Sequence, residues 1–84
     1  MVTRELDIVL YGATGFVGAL TARYLASHAG GVRVGIAGRS TARLEALRGD
    51  LGAAADEWEV IEIDARDSVG LRDLARRTAV LATT

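Results

Sequence analysis

Three glycines at a spacing of three, Gly12, Gly15 and Gly18, stand between the apolar run Leu6-Asp7-Ile8-Val9-Leu10-Tyr11 and a stretch of helical periodicity. A short run of branched aliphatic residues closed by glycine has the character of a strand buried on both faces of a parallel sheet. The glycines allow a sharp turn and a close approach of the helix that follows. The spacing therefore predicts a strand at residues 6–11, a glycine turn, and a helix from Gly15 to about His28. In that helix Phe16, Leu20 and Tyr24 recur every four residues with Val17, Thr21 and Leu25 beside them, forming one apolar stripe that ends at Gly30-Gly31.

The same alternation continues to the end of the chain. Val32-Arg33-Val34-Gly35-Ile36-Ala37 has period two and stops at Gly38, which predicts a second strand in which Gly35 leaves room for a close neighbour. Ser40 is placed to cap a second helix built on Leu44, Leu47 and Leu51 and closed by Gly52, with a loop over residues 53–57. Residues 58–63 read as a third strand, Asp67 or Ser68 as the cap of a third helix carrying Leu71, Leu74 and Ala75 on one face, and residues 79–83 as the start of a fourth strand. A βαβαβαβ order with short connections predicts an α/β fold: a Rossmann-like, doubly wound parallel sheet in the order 3-2-1-4 with right-handed crossovers. A whole fold of this class has about six strands, so residues 1–84 are expected to be the N-terminal half of a nucleotide-binding domain, with no substrate domain. The first two helices would share one face and the third alone would cover the other, leaving apolar sheet surface that favours self-association.

Composition narrows the function classes. Half of the 84 residues are hydrophobic, a quarter are charged and none is proline, as in a globular chain dense in regular structure. No apolar run approaches the roughly 20 residues of a membrane span, and the N-terminus lacks the apolar stretch of a secretion signal, so a cytoplasmic location is expected. With no cysteine there is neither a disulfide framework nor a thiolate metal site, and redox chemistry must come from a bound cofactor. The net charge of −1 gives no global field for nucleic acid. All ten basic residues are arginine, so the Tyr–Lys pair of short-chain dehydrogenases is absent: four residues after Tyr11 and Tyr24 stand Gly15 and His28. No His/Glu metal cluster, nucleophile elbow or lysine-bearing phosphate loop is present. The chain is expected to hold no metal and no catalytic residue of its own. His28 suits the end of its helix electrostatically, and Trp58, Tyr11 and Tyr24 read as packing residues.

What the glycine turn suggests is a dinucleotide. Strand, three-glycine turn and helix place unpaired first-turn N–H groups and the positive end of the helix dipole against an incoming phosphate. In this reading Gly12 makes the turn, Gly15 allows close approach to a pyrophosphate and Gly18 packs the helix on the strand. Thr14 offers a hydroxyl, and Phe16 and Val17 their backbone N–H groups. About 20 residues beyond the last glycine, Asp or Glu would bind a ribose 2′-hydroxyl, whereas arginine accommodates a 2′-phosphate. Gly38-Arg39-Ser40 stands there, with no acidic residue from Gly30 to Arg43. Arg39 can pair bidentately with a 2′-phosphate or lie on the adenine face, and Ser40 can donate its hydroxyl and N–H, so NADP, as NADPH in preference to NADH, is the expected cofactor. Arg43 is either a second phosphate contact or a solvated helix-face residue. Asp64, beside Ala65, is either an acceptor for the adenine amino group or an ordinary loop carboxylate. Thr83 and Thr84 fall on the carboxyl edge of the sheet, where ligands of this class bind.

At Tyr11-Gly12-Ala13-Thr14-Gly15-Phe16-Val17-Gly18, followed by Leu20-Thr21-Ala22, Ala37-Gly38-Arg39-Ser40 and Arg43-Leu44, and ending on Leu81-Ala82-Thr83-Thr84, the chain resembles the saccharopine dehydrogenase-like oxidoreductases. Within that group it is most similar to the trans-acting enoyl reductases of bacterial lipid synthesis. The resemblance covers nearly the whole chain but only the cofactor-binding half of the family's protein. It implies hydride transfer from NADPH, in the enoyl reductases to a carbon–carbon double bond of a polyketide-derived acyl chain. Two other functions compete with it: a non-catalytic NADP(H)-sensing module built on the same turn, and an inactive fragment.

Overall fold

In the computed structural model, which describes residues 5–28 and 30–83, the chain forms β1 (Leu6–Tyr11), α1 (Phe16–His28), β2 (Val34–Gly38), α2 (Thr41–Leu51), a short 3-10 turn (Gly52–Ala55), β3 (Glu59–Glu62), α3 (Ser68–Arg77) and β4 (Thr78–Thr83). The four strands make one sheet in the order β3-β2-β1-β4, every pair parallel. This is the Rossmann-like architecture expected from the alternation of strands and helices. The register Tyr11↔Ala37, Tyr11↔Thr83 and Gly38↔Glu62 lines up the carboxyl ends of all four strands along one edge. The segments that follow β1, β2 and β3 consequently emerge side by side.

Helices cover the two faces as the strand order requires. On one face Leu10, Val34 and Ile36 pack with Ala22 of α1 and with Leu44 and Leu47 of α2, and Trp58 and Ala55 close the far side. On the other face Leu6, Val9, Ala37 and Ile63 pack under Leu74 of α3. The helices begin where their caps predict. Ser40 Oγ accepts from Arg43 N at 3.3 Å to start α2, and of the two candidates for α3 it is Asp67 that accepts, from Gly70 N at 2.9 Å. Gly52 ends α2 at φ 75°, a conformation that favours glycine.

Three local readings of the sequence are corrected. The stripe Phe16, Leu20 and Tyr24 does not face the core: these side chains, with Val17, are exposed, and α1 buries Gly18 and Ala22. A helix seated this close to the sheet has room only for small residues on its inner face, so the larger apolar residues are turned outward. Tyr24 is accordingly exposed and stacks on His28, ring centroids 4.2 Å apart, while His28 Nδ1 donates to the Tyr24 carbonyl at 2.9 Å. The second strand starts at Val34 and all five of its residues are buried, because a central strand covered on both faces has no solvent side for period two to mark. The segment expected to be a loop after α2 contains the 3-10 turn, which buries Ala55.

The amino edge of the sheet is held by ion pairs. Arg77, at the end of α3, donates from Nε to Glu5 at 2.7 Å and through NH2 to both carboxylate oxygens of Glu59 at 2.8 and 2.6 Å. Arg33 grips Asp7 in the same region. The carboxyl edge carries the glycine turn and a cleft.

Candidate cofactor cleft

The cleft starts from the geometry of the turn after β1. Gly12 sits at φ 83°, where a Cβ would be strained, and its N–H donates to the Ala37 carbonyl at 2.9 Å, tying the turn to β2. Gly15 N–H folds back onto the Gly12 carbonyl at 3.0 Å, and Ala19 N–H reaches the Gly15 carbonyl at 2.8 Å as α1 begins. A Cβ at Gly18 would collide with the Gly12 carbonyl oxygen and lie 2.8 Å from Gly12 C and Ala13 Cα. Gly18 thus lets the first turn of α1 pack against the strand end. The first turn of α1 contains no acidic residue, so nothing on the helix offsets its positive end.

Around this turn opens a cleft of about 550 Å³. Gly12, Thr14 and Gly15 form its floor, Arg39 and Arg43 line it from the β2–α2 connection, and Asp64, Ala65 and Arg66 line it from the segment after β3. Tyr11 and Gly38 complete the wall. Five of the expected contacts, Gly12, Thr14, Gly15, Arg39 and Asp64, are therefore brought together. Phe16 and Val17 open α1 just after Gly15 with exposed side chains but do not line the cleft. Gly18 is buried behind the turn, and Ser40 caps α2 with its oxygen while its O–H remains a donor. Thr83 ends β4 next to Tyr11 but does not line the cleft, and Thr84 lies outside the described residues.

The charges are unevenly partnered. Asp64 Oδ1 accepts from Arg66 N at 2.9 Å and Nε at 3.2 Å, and Oδ2 accepts from Arg66 NH2 at 3.0 Å. These bonds, side chain first and backbone second, with weaker attraction from Arg66 and Arg39, hold the Asp64 carboxyl well below its ordinary value, at about 2. Arg66 is not singled out by spacing rules for nucleotide sites, yet Asp-x-Arg after a strand is the signature of a local side-chain turn that could have drawn attention to it. Among the described residues, neither Arg39 nor Arg43 takes part in an ion pair within 4 Å. Three guanidinium groups against one carboxylate make a locally cationic cleft in a chain of net charge −1. A second cavity, about 470 Å³ at the opposite edge of the sheet, is lined by Glu5, Glu57 and Glu59 against Arg33 and is electrostatically unsuited to a phosphate.

No protein-family model matches the chain. Over 81 residues it is 52% identical to a Mycobacterium tuberculosis protein named provisionally as a trans-acting enoyl reductase. It is 48% identical to a trans-acting enoyl reductase of the same species and 46% identical to one of Mycobacterium ulcerans. Each match covers 96% of this chain, which spans 19% of the length of these curated relatives. Among solved structures, the bulky-bulky ketone specific alcohol dehydrogenase of Comamonas testosteroni superposes with a TM-score of 0.68 over 86% of this chain and 30% of its own, at 24% identity. That likeness concerns the fold.

Proposed function

We propose that the chain is the NADP(H)-binding portion of an oxidoreductase of the saccharopine dehydrogenase-like group, a reductase of the trans-acting enoyl type acting on lipid or polyketide acyl chains. The observation that carries this reading is the cleft itself. A positive-φ glycine turn opens onto a helix N-terminus, and Arg39 and Arg43 line the same space with no ion pair within 4 Å among the described residues. The relatives named as trans-acting enoyl reductases support the reductase part of the reading. In this assignment the backbone N–H groups of Phe16 and Val17 and the Thr14 hydroxyl bind the pyrophosphate, and Arg39 and Ser40 bind the 2′-phosphate. Asp64 borders the adenine end, and Thr83 stands on the carboxyl edge of the sheet toward the cofactor crevice. The cofactor supplies the hydride; the chain binds and orients it.

The 84 residues are not catalytically competent alone. Besides its arginines, the cleft offers among the described residues Tyr11 and an Asp64 already committed to Arg66, so in this reading acid–base groups and the acyl site come from elsewhere. The same observation favours, as a second reading, a module that senses NADP(H) without turnover, with the inactive fragment as its limit. We further propose that the chain self-associates through exposed sheet surface at β4. Isothermal titration tests the central assignment: NADPH is expected to bind at least about tenfold more tightly than NADH, and Arg39→Ala to erase the difference, in line with the ~1.5–3 kcal/mol of a hydrogen bond to a charged group. Equal affinities for the two nucleotides would refute the NADP assignment, and heat from neither would leave only the fragment.

A further inference from the structure

The side chain that lies in the cleft with least obvious purpose is Arg66. It is 89% exposed, yet its position is set: Nε and NH2 both grip Asp64, and its own backbone N–H is bound to the same carboxylate. A long exposed arginine ordinarily loses a ligand contact to conformational entropy; one pinned along an edge of its guanidinium does not. The fork consumes donors on that edge and offsets the charge, while the flat face remains available. Arg39 and Arg43, which have no such partner among the described residues, line the same cleft from the β2–α2 side.

We propose that Arg66 is a base-stacking wall of the cleft, fixed by Asp64, and that it binds the face of a purine ring and not a phosphate. Asp64 is then a positioning residue, acting on the ligand through Arg66. Ala65, between them in sequence, lines the same cleft with a small side chain. The proposal rests on the nucleotide reading given above and adds to it a residue and a mode of recognition: affinity for the base through stacking of the planar guanidinium face on the ring, separate from affinity for the phosphates.

The experiment compares 2′,5′-ADP, which carries the base, with inorganic pyrophosphate, which does not, by calorimetric titration of the full chain. Arg66→Ala is expected to weaken 2′,5′-ADP by about three- to fivefold, the scale of an exposed arginine–ring contact, and to leave pyrophosphate unchanged. Arg66→Tyr, which keeps a flat face and drops the charge, restores 2′,5′-ADP binding; Arg66→Lys, which keeps the charge and drops the face, does not. Asp64→Asn weakens 2′,5′-ADP as Arg66→Ala does, and the double variant is no weaker than either single one. Because both residues sit on the surface, unchanged far-UV circular dichroism verifies that each variant is folded. Equal loss of both ligands in Arg66→Ala, rescue by lysine and not by tyrosine, or no loss at all overturns the stacking role while leaving the nucleotide site standing. Failure of the unaltered chain to bind either ligand removes the nucleotide reading and this inference together.

Discussion

At the scale of single residues, the cleft is organised by which charges already have partners. Asp64 and Arg66 satisfy one another locally, whereas Arg39 and Arg43 face the cleft without an ion pair among the described residues. This pairing has a measurable signature. The Asp64 carboxyl titrates near 2, below its ordinary 3.8, so in the folded chain it stays ionised where an unfolded one would take a proton. A carboxylate with a depressed folded pKa stabilises the native state above its unfolded value and loses that contribution as pH falls through the folded value, so the window here runs from about pH 4 down to about pH 2. The exposed pair adds little to global stability, and the effect is best read at the residue. A carboxyl carbon shift followed by NMR is expected to give Asp64 a midpoint near 2, moving back toward 3.8 in Arg66→Ala. A midpoint that stays low in that variant would assign the shift to something other than the Arg66 fork.

At the scale of elements, α1 is positioned by what it lacks. Its inner face at Gly18 and Ala22 is fully buried, and a methyl group at Gly18 would meet backbone that has nowhere to move. Gly18→Ala is expected to cost about 1–3 kcal/mol, the usual penalty for overpacking, and to lower the urea midpoint. Gly49→Ala in α2, where a Cβ meets nothing within 4 Å, is expected to raise stability by roughly 0.5–1 kcal/mol as a helix-interior glycine is replaced. Two changes of one methyl group with opposite signs separate close packing from helix propensity; the same sign for both would remove the packing account. This also explains what was legible in the sequence. The strand order, the Ser40 cap and the turn glycines follow from local chemistry, and each appears where periodicity and turn residues place it. Burial of α1 does not, because distance from the sheet is a tertiary property: a stripe of Phe16, Leu20 and Tyr24 has the period of a core face whether or not the helix sits close enough to turn it outward. The Asp64–Arg66 fork escaped notice for a related reason, since a role assigned to Asp64 by its place after β3 says nothing of a neighbour two residues on.

At the scale of the whole molecule, the two edges of the sheet differ in how they are protected. β3, the edge beside β2, is four residues long and carries Glu59 and Glu62, the kind of charge that discourages further strand pairing. β4, the edge beside β1, runs for six residues, Thr78–Thr83, with no charge and no proline, and leaves Val80 53% exposed. Val80 alternates onto the same face as Ala82, which packs with the α1 side of the core, and α1 presents Phe16, Val17, Leu20 and Tyr24 to solvent. An uncharged edge beside exposed apolar side chains is a template for another strand, and in the self-association proposed above a second copy of the chain would supply it. Sedimentation velocity is therefore expected to show a concentration-dependent dimer or larger species. Val80→Lys should shift the chain to monomer by placing a charge on the edge, with little change in melting temperature because the position is half open. A control charge at Glu62→Lys, on the already protected edge, should leave the association unchanged. If the unaltered chain sediments as a monomer at every concentration, β4 pairing is refuted; if Val80→Lys and Glu62→Lys dissociate it equally, the contact lies elsewhere than on this edge.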